Sequence, residues 1–173
     1  MKITPAYLEE QRALHAHPRG YGGRGSKWAS EVAQLATGRR IVNILDYGAG
    51  QGTLSTALRE SGFKARDYDP AVFSFKSDPE PADLVTCTDC LEHVERECLD
   101  EVIAHIAWLA RPWLFVVISL VPTDKKLSDG RQAHISLHPR EWWLWKLGAL
   151  FDLVKEIENR PEKQFVGFFR RKK

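Results

Sequence analysis

The sequence predicts a three-layer α/β fold, in which helices cover both faces of a mainly parallel sheet with an antiparallel terminal strand. Apolar runs of strand length alternate with segments of helical periodicity along the chain. The run 113–120 is apolar apart from Ser119, which is typical of a strand covered on both faces. The last two predicted strands, 151–158 and 164–170, are joined by so short a link that we expect an antiparallel pair at the sheet edge.

Composition limits the classes of protein to consider. The chain has 173 residues, which is enough for one sizeable core, and we treat it as one domain with N-terminal helices and a glycine-rich lid (1–38) before the α/β core (39–173). The 25 basic and 23 acidic residues nearly balance, so a nucleic-acid partner is an alternative that the charge does not favour, despite the basic tail 170–173. No apolar run reaches membrane-spanning length. We expect a cytoplasmic protein without a membrane partner, as a monomer or homodimer.

The N-terminal third predicts two helices before the first strand. Apolar and polar residues recur at helical spacing in 7–15, before the glycine-rich stretch 18–25, and again in 28–36, where Gly38 ends the second helix. The first strand, 41–45, ends at Asp46.

The rest of the chain continues the alternation. A helix through 54–58 stops at Gly62, and a strand over 64–69 is closed by Pro70. The thirteen residues 70–82 are too few for a further helix and strand. We predict a strand at 83–88, a helix from Val94 to Leu109 ended by Pro112, a polar loop at 121–140 and a helix at 141–150.

One motif joins the first strand to its helix: Asp46-Tyr47-Gly48-Ala49-Gly50-Gln51-Gly52. A helix N-terminus offers unpaired N–H groups, and glycines let a ligand approach the backbone closely. The glycines are spaced G-x-G-x-G rather than the G-x-G-x-x-G of dinucleotide sites, which argues against a nucleotide-dependent oxidoreductase. A sulfonium ligand with an ammonium group needs a carboxylate such as Asp46, and Asp69 after the next strand is in position to accept both ribose hydroxyls.

These residues resemble the class I S-adenosylmethionine-dependent methyltransferases, in particular the methyltransferase-11-like group. The resemblance covers roughly residues 41–170 and includes the glycine motif, Asp69-Pro70, the stretch 82–85 and Asp89-Cys90-Leu91-Glu92-His93-Val94. The stretch Tyr21-Gly22-Gly23-Arg24-Gly25 is similar to the small stand-alone enzymes of phages and bacteria.

The resemblance implies a Rossmann-like sandwich, shortened between the second and fourth strands, with S-adenosylmethionine as cofactor. Ser77 and Asp78 are candidate replacements for the adenine contact that the shortened link lacks. The cofactor-binding residues that it implies are Tyr21, Asp46, Tyr47, Gly48, Ala49, Gly50, Tyr68, Asp69, Pro70, Thr88, Asp89 and Leu91. We also expect the N-terminal loop, with Tyr21 and Trp28, to close over the cofactor.

Three residues are candidates for proton transfer. His134 lies in the loop after the strand 113–120, where the substrates of parallel sheets bind, and an ordinary histidine pKa near 6.5 suits a general base. Glu92 and His93 either take part in acid–base chemistry or only shape the turn before the next helix. Because the methyl group is already activated, positioning of the acceptor without any base is a further alternative.

No metal site is expected. Cys87, Cys90, His93 and Cys98 follow a C-x2-C-x2-H-x4-C pattern, but Cys87 falls within a predicted strand, so we interpret the cysteines as free thiols. A cluster of hard oxygen ligands for Mg²⁺ is also not evident.

The predicted function is methyl transfer to an O or N atom of a small-molecule or nucleotide-type acceptor. The chain lacks the Pro-Pro-aromatic signature of DNA amino-methyltransferases and the Pro-Cys of cytosine-C5 enzymes. Methyl transfer to nucleic acid or protein remains an alternative. A second alternative is a non-catalytic S-adenosylmethionine-binding partner or activator subunit, for which an exposed apolar patch at Trp142 and Trp145 would be evidence.

Overall fold

The computed structural model describes residues 2–16 and 21–173, so Pro18 and Gly20 of the predicted glycine-rich loop lie outside the described residues. The elements in the described ranges are α1 (Pro5–His15), α2 (Ala29–Thr37), β1 (Asn43–Tyr47), α3 (Thr53–Glu60), β2 (Lys64–Tyr68), β3 (Ala82–Thr88), α4 (Leu99–Leu109), β4 (Ala110–Ser119), α5 (Arg140–Gly148), β5 (Phe151–Glu156) and β6 (Gln164–Arg171).

The strands form a six-stranded sheet in the order β2-β1-β3-β4-β6-β5. Strands β1 to β4 are parallel, and β6 is antiparallel to both of its neighbours, β4 and β5. Strand β2 is an edge strand because the link after it forms only the short 3₁₀ helix Phe73–Phe75 before β3 begins. The predicted Rossmann-like architecture is therefore confirmed, including its shortening and the antiparallel pair at the C-terminal edge.

Alternate residues of the central strands serve two separate apolar clusters. Ile44, Leu84 and Phe115 face α2 and α3, whereas their neighbours Leu45, Val85 and Leu114 face α4 and α5. All six side chains are at most 1% exposed. This alternation makes the sheet the middle of three layers. The carboxyl ends of β1 to β4 consequently meet along one edge.

The predicted helix from Val94 begins later, at Leu99. Residues Leu91–His93 form a 3₁₀ turn, and Val94 is extended. Tertiary hydrogen bonds hold this segment outside the helix, since Ser136 Oγ donates to the Val94 carbonyl at 2.6 Å and Thr4 N donates to the Glu95 carboxylate at 2.8 Å.

Pro112 does not end α4, which already stops at Leu109. It lies inside β4, in an irregular part of the pairing with β3. Between the pairs Ala82–Ala110 and Leu84–Trp113, the two β4 residues Arg111 and Pro112 lie opposite the single β3 residue Asp83. Such an irregularity in strand pairing accommodates a residue that has no N–H to donate.

The tryptophans divide between core and surface. Trp143 is fully buried and Trp145 is 68% exposed, because neighbouring indoles on one helix point in different directions. Trp28, expected over the cofactor, is instead a core residue, 4% exposed and 5.9 Å from the Phe115 ring centroid. In the described part of the chain, no helix combines the length and the apolar character needed to cross a bilayer.

Candidate functional site

The glycine motif forms a tight turn between β1 and α3. The Gly48 and Ala49 amides both donate to the Tyr68 carbonyl, at 2.8 and 3.1 Å, so the turn is tied to the end of β2. Gly48 and Gly50 have φ of 77° and 54°, a region that residues with a side chain rarely adopt. A Cβ on Gly48 would collide with Cys90 Sγ, and one on Gly50 would come within 2.6 Å of the Gly22 carbonyl. The turn therefore requires glycine for both conformation and space.

Three carboxylates surround this turn. Asp46 is buried at the end of β1, accepts a hydrogen bond from Thr86 Oγ1 at 2.8 Å, and has its pKa raised to about 7 by burial. Asp69 accepts hydrogen bonds from the Gly50 and Ala71 amides at 3.0 and 2.9 Å. Asp89, in the left-handed region at φ 50°, accepts a hydrogen bond from Lys27 Nζ at 2.9 Å.

Two adjoining cavities open beside the turn and share Tyr21, Gly22, Gly48, Asp89 and His93. Of the predicted cofactor residues, the first cavity adds Tyr47, Gly50, Tyr68, Asp69 and Pro70, and the second adds Asp46, Ala49 and Thr88. Eleven of the twelve predicted residues thus line one cavity or both.

Leu91 is the exception among the predicted cofactor residues. Its side chain is fully buried and packs in the core cluster that contains α4, so it lines neither cavity. Ser77 and Asp78 do not line them either, and Asp78 extends into solvent beside Lys2, with 3.6 Å between its Oδ1 and Nζ. The sequence identifies Ser77 and Asp78 as polar residues of a short link, but the direction of their side chains depends on packing.

Sequence reasoning missed the contribution of α1. Tyr7, Gln11 and His15 line the first cavity, and His15 Nε2 lies 3.8 Å from Asp69 Oδ2. Burial lowers the pKa of His15, and the neighbouring Asp69 opposes that shift. The helical periodicity of 5–15 was visible, but it carried no sign of the surface that the helix covers.

The segment after the undescribed residues is attached to the glycine turn. The Gln51 amide donates to the Gly22 carbonyl at 3.0 Å, and Gln51 Nε2 donates to the Tyr21 carbonyl at 2.9 Å. The Tyr21 hydroxyl donates to Gln11 Oε1 at 3.3 Å. Tyr21 accordingly stands between the turn and α1.

Glu92, His93 and His134 meet at the wall of the second cavity. The loop after β4 returns to the Leu91–His93 turn, because the Ser136 amide donates to the Glu92 carbonyl at 2.9 Å. The rings of the two histidines stand edge to face, with centroids 4.7 Å apart. The structure thus brings together the three candidates for proton transfer.

Burial favours the neutral forms of Glu92 and His93. Burial raises the pKa of Glu92 to about 8, and burial together with the neighbouring His134 lowers the pKa of His93 to about 3. His93 Nδ1 donates to the Ala133 carbonyl at 2.8 Å, and His134 Nδ1 donates to the Val121 carbonyl at 2.7 Å. Since a carbonyl only accepts, each Nδ1 carries a proton, and Nε2 is the second nitrogen that each ring has left for another partner.

The three cysteines have free thiols and do not form a common site with His93. Cys87 and Cys98 are buried, and burial contributes to a raised pKa in both. Cys90 borders the first cavity, beside Gly48.

The residues around the glycine turn, drawn from both cavities, fit a ribonucleoside that carries a cationic amino acid. The glycine turn lines both cavities, and the carboxylates of Asp69 in the first cavity and Asp46 in the second are acceptors for hydroxyl and ammonium groups. Pro70, Ala71 and Val94 add an apolar wall that suits a base.

Comparison with known proteins agrees with this geometry. The family model of a methyltransferase domain matches residues 21–169. No curated protein is significantly similar to the chain in sequence.

Several solved structures share the fold. The 1,6-didemethyltoxoflavin-N1-methyltransferase of Burkholderia thailandensis, with its acceptor and S-adenosylhomocysteine bound, is 20% identical (TM-score 0.66; 87% of this chain and 80% of that one). Magnesium protoporphyrin IX methyltransferase of Synechocystis PCC 6803, with bound S-adenosylhomocysteine, is 16% identical (TM-score 0.64; 97% and 95%). The N-methyltransferase NodS of Bradyrhizobium japonicum WM9, also with S-adenosylhomocysteine, is 12% identical (TM-score 0.64; 96% and 99%).

Family match, fold and glycine turn lead to one conclusion: the chain belongs to the methyltransferase domain family, as a class I enzyme that uses S-adenosylmethionine as its methyl donor.

Proposed function

We propose that this enzyme methylates an O or N atom of a small-molecule or nucleotide-type acceptor that enters the second cavity. The observation that carries the proposal is the position of Glu92, His93 and His134, which line a cavity sharing Gly48 and Asp89 with the cofactor side. An acceptor in contact with these three groups would be adjacent to the methyl donor.

On the cofactor side, we assign the methionine portion to Asp46, Gly48 and Gly50, and the ribose to Asp69. The bound cofactor supplies a methyl group activated on a sulfonium. Asp69 is held for its role by the Gly50 and Ala71 amides, which fix the plane of its carboxylate. Tyr47, Tyr68, Pro70, Thr88 and Tyr21 complete the walls, and Leu91 supports them only from the core.

On the acceptor side, His134 is the leading candidate for proton acceptance. Its Nδ1 is engaged by the Val121 carbonyl, so the Nε2 lone pair is the one left for the acceptor. His93 is held in the same tautomer by Ala133 and offers a second lone pair. Glu92 is fully buried, with a carboxylate oxygen within 4.8 Å of a ring nitrogen of each histidine.

The outer wall of the second cavity favours an acceptor with negative charge. Arg24, Arg160 and Lys163 line this cavity in addition to Lys27, which is paired with Asp89. Clustered cations concentrate anionic ligands near a site, so a phosphate or carboxylate on the acceptor fits this wall. The acceptors in the Burkholderia and Synechocystis structures are also small molecules, a toxoflavin precursor and a magnesium porphyrin.

Turnover with a panel of small hydroxyl and amine acceptors, with and without a phosphate group, tests this function. Formation of S-adenosylhomocysteine would be measured for the wild type, for His134→Ala and for His138→Ala, a histidine of the same loop that stacks on Trp142 instead. We expect His134→Ala to lower kcat by about 100-fold or more, as loss of a general base does, with His138→Ala unchanged.

Equal activity of the two variants would remove His134 from the reaction. Cofactor binding without turnover on any acceptor, including nucleic acid and protein, would instead support the non-catalytic subunit, whose partner surface would include the exposed Trp145.

A further inference from the structure

The Glu92–His93–His134 cluster has a geometry that proton transfer alone does not explain. One potential ligand atom from each residue lies within 4.8 Å of the other two, and among the described residues this is the cluster of acid, histidine and thiol groups compact enough for a metal ion. The cluster combines two imidazoles with one carboxylate, a donor set typical of divalent transition metals.

Backbone carbonyls orient both imidazoles. Ala133 O and Val121 O accept from Nδ1 of His93 and His134, respectively, and the Tyr21 hydroxyl lies 3.0 Å from His93 Nδ1. Histidines that bind metal characteristically donate their second ring N–H to a carbonyl or carboxylate, which fixes the tautomer and directs the other nitrogen to the metal. Both rings already make this carbonyl contact through Nδ1, so Nε2 is the nitrogen that each ring could offer to a metal.

The carboxylate provides an independent observation. Glu92 Oε1 accepts a hydrogen bond from the Ser119 amide at 2.9 Å, but Oε2 has no hydrogen-bond partner in the described part of the chain. Its residue is 0% exposed, so no solvent reaches the unpaired oxygen. A buried acceptor without a partner is costly, and a bound cation would satisfy it.

We propose that Glu92, His93 and His134 bind one divalent transition-metal ion, such as Zn²⁺ or Co²⁺, at the wall of the second cavity. The two nitrogen donors favour such ions over Mg²⁺, which prefers an all-oxygen shell. The sequence-based expectation of no metal rested on the cysteines, and the structure excludes them from this cluster. His134 joins it only through the folding of the loop after β4.

The site deepens the proposed function, and its part in methyl transfer rests on that function. All three ligands line the second cavity, into which the acceptor is proposed to enter. A metal there would bind the attacking oxygen of a hydroxyl acceptor directly. The lone pairs of His93 and His134 would then hold the metal, and His134 would be a ligand rather than a base.

Cobalt titration of the purified, metal-stripped protein tests the site without cofactor or acceptor. We expect one Co²⁺ per chain, with visible d–d absorption bands that report imidazole ligation. His134→Ala and Glu92→Gln should weaken binding by more than the roughly 10- to 100-fold that loss of a second-shell partner costs. The Gln variant keeps an oxygen for the Ser119 amide, and His134 is only half-buried, so both variants should fold.

His138→Ala is the matched control and should bind Co²⁺ as the wild type does. Binding that is absent at millimolar Co²⁺, or that survives in both ligand variants, would overturn the site. Affinity for S-adenosylhomocysteine, measured on the same samples, separates the two proposals. Cofactor binding without cobalt binding would refute the metal site alone, whereas cobalt binding without turnover on any acceptor would refute the proposed function alone.

Discussion

At the scale of single residues, burial gives the site its character. Asp46 is 2% exposed and has one hydrogen bond, from Thr86, to offset the loss of solvation. Its pKa is therefore raised to about 7, mainly by desolvation, with further contributions from Asp67 and Asp69. A cationic ligand nearby would favour the ionised form. The ionised carboxylate of Asp46 is thus unfavourable in the free protein, and a bound ammonium group would stabilise it.

Replacing Asp46 with Asn should remove a loss of folding stability that the wild type undergoes as the pH rises. Because the folded pKa of about 7 exceeds the ordinary 3.8, the folded state binds more protons between these values, and stability falls as pH rises through them. The variant lacks this loss, so the difference between its free energy of unfolding and that of the wild type should increase from about pH 4.5 to pH 7. One pKa unit corresponds to about 1.4 kcal/mol, so this difference should reach the order of a few kcal/mol. Urea unfolding at several pH values measures it.

The control is Asp129→Asn on the surface. Hydrogen bonds from Arg131 lower the pKa of Asp129, so its contribution to stability is lost only at pH values below the ordinary pKa of an aspartate. The free energy of unfolding of Asp129→Asn should therefore differ from that of the wild type by a constant amount across the same pH range. A constant difference for Asp46→Asn as well would show that Asp46 is ionised in the free protein.

At the scale of elements, α1 depends on long-range partners. It has only 11 residues, too few for a stable isolated helix. Thr4 caps it by accepting from the Tyr7 amide at 3.2 Å, and its own hydroxyl donates to Glu95 Oε1 at 2.7 Å. Glu10, in the middle of the helix, accepts from the Ser128 amide at 2.8 Å. These contacts place Tyr7, Gln11 and His15 over the first cavity.

Thr4→Ala should loosen α1 and weaken cofactor binding. Loss of an N-cap costs about 1 kcal/mol, and the same hydroxyl also binds Glu95, so we expect roughly fivefold weaker affinity for S-adenosylhomocysteine. Hydrogen exchange should accelerate in 5–15 but not in β3 or β4. Thr4→Ser keeps the hydroxyl and should behave as the wild type. Unchanged exchange in the Ala variant would show that α1 is held by its apolar contacts alone.

At the scale of the whole molecule, the cofactor site joins parts of the chain that fold around different cores. The glycine turn follows a strand shared by both apolar clusters, while α1 packs in a third cluster with Leu127 and Ala133 of the loop after β4. A ligand in the first cavity contacts residues from all of these regions. Its binding should therefore stabilise the molecule as a unit.

S-adenosylhomocysteine should raise Tm, and NAD should not. At 100 times Kd, a ligand selective for the folded state stabilises it by about 2.7 kcal/mol, which corresponds to roughly 5–10 °C for a chain of this size. Asp69→Ala should abolish most of the shift, because Asp69 lies in the cavity beside the glycine turn. An equal shift with NAD, or the full shift in the variant, would contradict the assignment of Asp69 to the ribose. Thermal melts with each ligand measure both.

The sequence by itself determined the features that local chemistry encodes. The glycine turn is recognisable because its glycines, strand and helix are contiguous, and the strands because their apolar periodicity is short-ranged. Most boundaries were within about two residues of the structure, and the start of α4 was not, because Ser136 and Thr4 hold Val94 and Glu95 from afar. The same reason explains why Leu91 faces the core and α1 covers the cavity.

Only the tertiary structure decided that His134 would stand beside Glu92. The two are far apart in the chain, and no periodicity links them. They meet because the carboxyl ends of β3 and β4 are neighbours, with Thr88 paired to Val117, and because the loop after β4 bonds back to the Glu92 carbonyl through Ser136. Convergence of side chains is a property of strand order and loop return, which depend on packing of the whole chain rather than on any local pattern.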